Sequence, residues 1–322
     1  MSYPTLRLHP RKEESVLRFH PWIFSGAIAS FSAPVEDGDL VSVVDSKGRP
    51  LGTGHFGGGS IAVRLLSFDA EEVIDRAFYK RRLEAALRLR LSCDLVRPVG
   101  SSDSPNTTYR LVHGEGDSLP GLIIDIYDRT AVVQAHSLGM HQARQTIAEV
   151  LWEVFAEAGD PVLPLEGIYY KSETTLPTRD MRELASDGFL IGHTEAAPIY
   201  ENGVRFTPDW LKGQKTGFFI DQRDNRALVA HYAKGRTVLN AFCYTGGFSI
   251  YALHAGAKRV DSLDSSAKAM YLTEQHVALN FGTDCPRHHS VTEDAFDYLE
   301  RMPEGEYDLI ILDPPAFAKH RK

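Results

Sequence analysis

Alternating strands and helices over residues 237–312 constrain the fold of this 322-residue chain more than any other feature. Apolar strands are predicted at residues 237–242, 259–263 and 309–312, with amphipathic helices between them. Because parallel strands need crossover helices, this order predicts a parallel, doubly wound sheet. Such sheets bind ligands beyond the carboxyl ends of their strands. We therefore expect an α/β fold with a site at that edge.

The first of these strands leads into a turn, Thr245-Gly246-Gly247, and then into a helix. Glycine lets the backbone approach a ligand where a side chain would clash, which favours a nucleotide-like ligand. Tight packing of strand against helix is the other use of such glycines. The turn lacks the G-x-G-x-x-G spacing of dinucleotide-binding proteins, so a metabolic dehydrogenase is the weakest interpretation.

Three aspartates follow the strands of this region. Asp264 is placed to accept hydrogen bonds from ribose hydroxyls, or else to cap the next helix. Asp294 suits an adenine amino group, and a helix cap is an equal alternative. Asp313 begins Asp-Pro-Pro-Ala-Phe317, where two prolines end the strand. An acceptor followed by an aromatic ring suits a flat base, whose edge hydrogen-bonds while its face stacks.

The rest of the chain divides into three predicted segments. Residues 1–70 contain short strands separated by turn signals, which predicts a small β domain. Residues 71–108 contain a basic helix and a linker rich in proline, glycine and serine. Residues 109–195 combine strands with one amphipathic helix, as in an α+β domain. The α/β domain then occupies residues 196–322.

The charge balance limits the kinds of partner. A formal net charge of −8 argues against a basic surface coat, so any nucleic-acid binding must be local. The basic helix carries a cluster that either faces phosphate or is a solvated face paired with Glu84 and Asp94. This basic cluster consists of Arg76, Lys80, Arg81, Arg82, Arg88, Arg90 and Arg97.

Cysteine usage and hydropathy exclude further classes. The three cysteines have no paired metal-ligand spacing, which argues against a zinc site and a disulfide framework. No apolar stretch approaches eighteen residues, so a cytoplasmic protein without a membrane partner is expected.

Residues 240–249, Asp264, Asp294 and residues 313–317 resemble, in order, the cofactor and catalytic motifs of class I Rossmann-like methyltransferases. Three further stretches, at 19–26, 114–125 and 216–226, resemble the large-subunit ribosomal RNA cytosine-5 methyltransferases with an N-terminal PUA domain. The resemblance spans nearly the whole chain. It implies a PUA-like domain for RNA, an α+β middle domain, and a Rossmann-like methyltransferase domain lacking its C-terminal strands.

The resemblance implies S-adenosylmethionine as cofactor, large-subunit ribosomal RNA as substrate, and no metal; a homodimer is also predicted. Together with the motifs above, it assigns three sets of residues. The catalytic residues are Asp313 and Phe317. The cofactor-binding residues are Phe219, Asp221, Gln222, Asn240, Phe242, Tyr244, Thr245, Gly246, Gly247, Asp264, Ser265, Asp294, Ala295 and Asp313. The RNA-binding residues are Arg11, Arg18, His20, Arg81 and Arg223.

The reaction that the resemblance implies requires a cysteine. Carbon 5 of cytosine is a poor nucleophile, so a thiolate adds at carbon 6 and creates an enamine that takes the methyl group. The resemblance implies that the nucleophile is the cysteine of a Ser-Cys-Ser segment beyond the Asp-Pro-Pro motif. Residues 318–322, which follow that motif here, contain no cysteine. Cys243 is expected to pack beside the cofactor instead. The sequence is therefore expected to be a fragment that stops within its catalytic domain and is inactive.

Two other functions are compatible with the motifs. An Asp-Pro-Pro-aromatic loop also suits methylation of a base nitrogen in ribosomal RNA, which needs no cysteine. A non-catalytic RNA-binding protein with a degenerate methyltransferase domain is the second alternative.

Overall fold

The computed structural model describes residues 3–177 and 186–314, and the chain forms two compact units. The first unit comprises residues 1–196 and 209–218, and the second comprises residues 197–208 and 219–322. The division of the sequence into four domain segments stays a prediction. The sequence did not indicate that residues 209–218 belong to the first unit. Across the described ranges, no helix is long and apolar enough to cross a membrane.

The first unit begins with a six-stranded mixed sheet. Alternate residues of its strands point inward, and Leu6, Leu8, Val41 and Val43 are fully buried. A short helix, α1, spans Glu14–Leu17. The strands are β1 (Thr5–Leu8), β2 (Trp22–Phe24), β3 (Ile28–Phe31), β4 (Leu40–Val44), β5 (Pro50–Phe56) and β6 (Ile61–Ser67), in the spatial order β2-β6-β5-β4-β1-β3.

A second sheet in the first unit has five strands. Its central strand pair is parallel, because helices connect the two strands, and its other pairs are antiparallel. Every residue of the central strands is buried or nearly so, which explains their unbroken apolar runs. The strands are β7 (Thr108–His113), β8 (Leu122–Tyr127), β9 (Thr130–Ala135), β10 (Gly167–Tyr170) and β11 (Gly188–Gly192), in the order β11-β10-β9-β8-β7.

Three helices cover this second sheet. Helix α2 (Arg76–Ser92) begins at Asp75, whose carboxylate accepts from the Phe78 amide. The sequence predicted one helix from Ala143, but the structure has two, α3 (Leu138–Gln142) and α4 (Arg144–Ala158). The first turn exists because the Ser137 hydroxyl caps it.

The second unit contains a parallel four-stranded sheet, which confirms the α/β prediction. The order β16-β15-β14-β17 places the switch point between β14 and β17. A hairpin of two three-residue strands was missed, since such short runs carry little periodicity. The elements are β12 (Ile199–Glu201), β13 (Val204–Phe206), α5 (Arg223–Ala233), β14 (Thr237–Ala241), α6 (Gly247–His254), β15 (Arg259–Asp264), α7 (Ala267–Phe281), β16 (His288–Thr292), α8 (Ala295–Arg301) and β17 (Leu309–Leu312).

Candidate functional site

The predicted cofactor residues gather at the carboxyl edge of the parallel sheet. Ala241 and Leu312 are register partners at the ends of β14 and β17, so the next residues, Phe242 and Asp313, flank the switch point. β15 ends beside β14, at Asp264. This edge is where open α/β sheets bind ligands.

Residues 242–247, here called the glycine loop, have an unusual backbone. Phe242, Tyr244 and Gly246 have φ angles of 56°, 49° and 76°. Left-handed φ is uncommon for residues other than glycine, and such strain persists only where surrounding contacts enforce it. These residues carry the chain from β14 into α6. The loop therefore has a fixed, costly shape at the predicted cofactor edge.

Side chains of α7 and β15 hold the glycine loop in this shape. The Tyr244 amide donates to Asp264 Oδ2 at 2.9 Å. The Thr273 hydroxyl donates to the Tyr244 carbonyl at 3.0 Å. A Cβ on Gly246 would lie 2.5 Å from Thr273 Cγ2, so only glycine fits there. Sequence reasoning missed Thr273, since a threonine within an amphipathic helix carries no local signal of this contact.

His276 on α7 is a second anchor that the sequence did not reveal. Its Nδ1 lies 2.9 Å from the Thr245 carbonyl, and its Nε2 accepts from the Thr207 amide at 3.1 Å. Burial lowers the pKa of His276, which favours the neutral ring. A neutral histidine can donate and accept at once, as these two contacts require.

Asp264 ends β15 with a half-buried carboxylate. Its Oδ1 accepts from the Ser266 amide at 2.9 Å, while Ser266, not Asp264, caps α7. The capping alternative for Asp264 is therefore wrong. Two bonds leave acceptor capacity on a carboxylate, as a ribose contact requires. Ser265 is exposed beside it.

Asn240 lies below the loop and is 1% exposed. Its amide donates to Ser249 Oγ at 2.9 Å, and a chain of hydrogen bonds continues through Ser262 Oγ to His288 Nε2. Burial lowers the pKa of His288 to about 4. Asn240 thus ties β14 to α6 and β15 in the structure, which makes it a support of the loop.

Asp294 caps α8, since its Oδ1 accepts from the Phe296 amide at 2.8 Å. Its carboxylate is exposed, so a contact to an adenine amino group stays a prediction beside the observed cap. Ala295 is 4% exposed and packs in the apolar cluster of this unit. Asp313 is exposed after β17, and the predicted catalytic Phe317 lies outside the described residues.

The segment before α5 contributes Phe219. Its ring packs edge-on against Tyr244 of the glycine loop, with 5.4 Å between centroids. Asp221 is exposed, and the Gln222 side chain accepts from Asn225 at 2.7 Å. Arg223 is 8% exposed, with Nε 3.6 Å from Glu201 Oε2. An RNA contact of Arg223 would require the guanidinium to leave this buried ion pair.

Cys243 is buried, with Sγ 3.5 Å from Met270 Sδ. Burial, with a contribution from Asp264, raises the pKa of the thiol to about 12. A thiol with such a pKa supplies no thiolate near neutral pH, so Cys243 does not suit the nucleophile.

The residues predicted to bind RNA differ in their surroundings. Arg11, Arg18 and His20 are exposed in the first sheet domain, and Phe19, which lies between Arg18 and His20 in the sequence, is 74% exposed. Arg81 instead pairs with Glu72 at 2.8 Å. All members of the basic cluster form ion pairs: their partners are Glu153, Glu157, Glu72, Glu84, Asp117 and Asp94.

Of the two interpretations of the basic helix, these pairs favour the ion-paired one. Glu153 lies 2.6 Å from both Arg76 and Lys80, and these contacts lower its pKa to about 2. The charges of the helix face are paired with acids of the same unit, as in the solvated, ion-paired alternative. The side chain of Arg81 is 57% exposed, and its RNA contact stays a prediction.

Comparisons with known proteins match two regions of the chain to family models. Residues 6–68 match the family model of a PUA-like domain, and residues 178–321 match that of S-adenosylmethionine-dependent methyltransferases. Ribosomal RNA large subunit methyltransferase I of Alteromonas mediterranea is 38% identical over 320 residues, which is 98% of this chain and 76% of the relative. The protein of that name from Shewanella denitrificans is 40% identical over 323 residues, 98% of this chain and 77% of the relative.

Solved structures share the architecture. A Streptococcus mutans protein described as a SAM-dependent methyltransferase aligns with a TM-score of 0.78 at 25% identity, over 98% of this chain and 77% of that one. A methyltransferase complexed with SAH aligns with a TM-score of 0.79 at 24% identity, over 100% of this chain and 78% of that one. At 24% identity, the similarity to this second structure shows a shared fold.

Proposed function

Because the chain belongs to the ribosomal RNA large subunit methyltransferase I family, we propose that it methylates carbon 5 of a cytosine in large-subunit ribosomal RNA. The chain is an S-adenosylmethionine-dependent methyltransferase with a PUA-like domain and a Rossmann-like catalytic fold. The observation that supports cofactor binding at this site is the convergence of the glycine loop, Asp264 and Asp313 at one sheet edge.

The residues present suit S-adenosylmethionine. Asp264 keeps acceptor capacity beside a glycine loop whose backbone is held from below. We infer that Asp264 binds the ribose, that Phe219 and the glycine loop form the wall beside it, and that Asp294 accepts from the adenine amino group. The bound cofactor supplies an electrophilic methyl group.

Asp313 is proposed to orient the target base. It follows β17 directly and precedes Pro314, which fixes the backbone at the exit of the strand. Its exposed carboxylate is suited to accept a hydrogen bond from the amino group of a cytosine. Stacking of the base on Phe317 stays a prediction.

Cytosine carbon 5 as the target rests on the motif resemblance. That chemistry needs a thiolate. Burial opposes this role for Cys243, and no other residue of the sequence is assigned it. The Ser-Cys-Ser nucleophile therefore stays a prediction of the resemblance. A cytoplasmic location and a homodimer likewise stay predictions.

The substrate RNA is proposed to contact the PUA-like domain through its exposed basic residues. Arg11 and Arg18 are exposed, and His20 is exposed with its Nδ1 accepting from the Trp22 amide at 3.1 Å. Local contacts of this kind reconcile RNA binding with a net charge of −8.

Mass spectrometry of methylated RNA tests the proposal. The protein, expressed from its own gene, is incubated with large-subunit ribosomal RNA from cells lacking that gene and with methyl-labelled S-adenosylmethionine. We expect labelled 5-methylcytosine, and Asp313→Ala should reduce its formation while cofactor binding persists. A labelled nitrogen-methylated base would correct the target atom. Cofactor and RNA binding without methyl transfer would favour the non-catalytic alternative, and absence of cofactor binding would overturn the proposal.

A further inference from the structure

A cluster of one buried acid and two buried arginines lies in the second unit, apart from the predicted cofactor contacts. Glu201 is 0% exposed, Arg226 is 2% exposed and Arg223 is 8% exposed. We propose that Arg226, held by Glu201, is a positioning residue for S-adenosylmethionine that fixes the Phe219 wall and the start of α6. The inference rests on the cofactor role proposed above for Phe219 and the glycine loop.

Arg226 makes two kinds of contact at once. Its Nε and Nη2 donate to the two oxygens of Glu201, both at 2.7 Å. Its Nη2 also donates to the Phe219 carbonyl at 2.9 Å. The planar guanidinium fork can serve a carboxylate and a carbonyl together, which an ammonium group cannot do with the same geometry. The side chain therefore connects α5, the β12–β13 hairpin and the residue that packs on the glycine loop.

Arg226 also meets the other end of the glycine loop. A Cβ on Gly247 would lie 3.2 Å from Arg226 Cδ, so α6 begins in close contact with the arginine stem. Glu201 reaches the same helix, because the Tyr251 hydroxyl donates to its Oε1 at 2.9 Å. Burial and Glu201 raise the pKa of Tyr251, which keeps this hydroxyl protonated.

The energetics of buried charge favour a positional role. Burying an ion pair costs desolvation that its attraction often only offsets, so a well-packed apolar cluster would stabilise the fold as well. Unlike apolar packing, hydrogen bonds are directional, so each one in the charged cluster fixes its partner group at a defined distance and orientation. Here the groups fixed are Phe219 and α6, on either side of the glycine loop.

The two arginines provide a matched pair of variants. Either substitution, Arg226→Met or Arg223→Met, leaves Glu201 with one arginine partner. Only Arg226→Met removes the donor to the Phe219 carbonyl and the stem against Gly247. Arg226→Lys keeps the charge without the fork. RNA is left out of the assay, so the RNA role predicted for Arg223 does not enter.

Calorimetric titration with S-adenosylmethionine, well below the unfolding temperature of each variant, separates positioning from stability. Arg226→Met should raise the dissociation constant by roughly tenfold, the effect of one lost hydrogen bond, with Arg226→Lys intermediate and Arg223→Met close to wild type. Unchanged affinity in a folded Arg226→Met or Arg226→Lys protein would overturn the inference, as would equal losses in Arg226→Met and Arg223→Met. If Arg226→Met does not fold, Arg226→Lys decides. Failure of the wild type to bind would instead overturn the proposed function.

Discussion

At the scale of the residue, the shape of the glycine loop depends on Gly246. We expect Gly246→Ala to weaken S-adenosylmethionine binding, because its φ of 76° and the contact at 2.5 Å with Thr273 both oppose a methyl group. The backbone strain alone costs about 1–2 kcal/mol. Calorimetry should show the loss, and adding Thr273→Ser, which removes Cγ2 but keeps the hydroxyl, should restore part of it. No recovery in the double variant would contradict the steric account.

Asp264 serves both the loop and the proposed ribose contact. Asp264→Asn removes the charge and one acceptor, so we expect S-adenosylmethionine affinity to fall by about 2 kcal/mol, the scale of a hydrogen bond to a charged group. Equilibrium dialysis measures it. The exposed Glu300, changed to Gln, is the control for a lost negative charge. Equal affinities of the two variants would contradict the assignment.

At the scale of the element, helix α2 shows how a basic sequence can present little free charge. Arg81→Gln is expected to change RNA affinity less than about twofold, since its guanidinium pairs with Glu72 at 2.8 Å. Arg18→Gln, on the exposed surface of the PUA-like domain, should lower affinity and reduce the salt dependence of binding by about one counterion. Filter binding to large-subunit ribosomal RNA at several salt concentrations tests both. A larger loss of RNA affinity in Arg81→Gln than in Arg18→Gln would support the interpretation that the basic helix faces phosphate.

The elements themselves followed closely from the sequence. Strands β8, β9 and β17 begin and end where the apolar runs do, and the parallel sheet follows from the alternation of strand and helix. The hairpin β12–β13, which carries Glu201, was not predicted from the sequence. Its strands are three residues long, which is too short for a period of two to stand out.

At the scale of the whole molecule, acid should destabilise the first unit through His55. Burial lowers the pKa of His55 to about 4, and its ring packs where a side chain at Gly139 would be. Below pH 6.5 the unfolded chain binds a proton that the folded chain does not, so stability falls as the pH drops from 6.5 to 4. From pH 7 to pH 5 this histidine should cost about 2 kcal/mol.

Urea unfolding followed by tryptophan fluorescence measures this effect, because Trp22, Trp152 and Trp210 all lie in the first unit. His55→Gln should show a smaller loss between pH 7 and pH 5 than the wild type. His9→Gln, at an exposed histidine of the same domain, should keep the wild-type loss. Identical pH dependence in all three proteins would show that His55 does not carry it.

By itself, the sequence determined the order of the main elements and the parallel sheet, and it predicted the edge at which the site is proposed to form. These follow from local periodicity and from the rule that parallel strands expose their carboxyl ends together. The motifs also identified Asp264 and the glycine loop, because a glycine turn after a strand is a local pattern.

Only the tertiary structure decided the partner of each charge. Lys80 pairs with Glu153 and Arg226 with Glu201, and the Thr216 hydroxyl donates to Asp125 at 2.6 Å across 91 residues, within the first unit. Such contacts depend on which elements the fold brings together, and local periodicity carries no information about them. For this reason the basic charges of α2, whose partners the sequence left open, are paired with acids. Arg226, the last residue of the family-like stretch 216–226, donates to the Phe219 carbonyl, a contact that the stretch itself did not reveal.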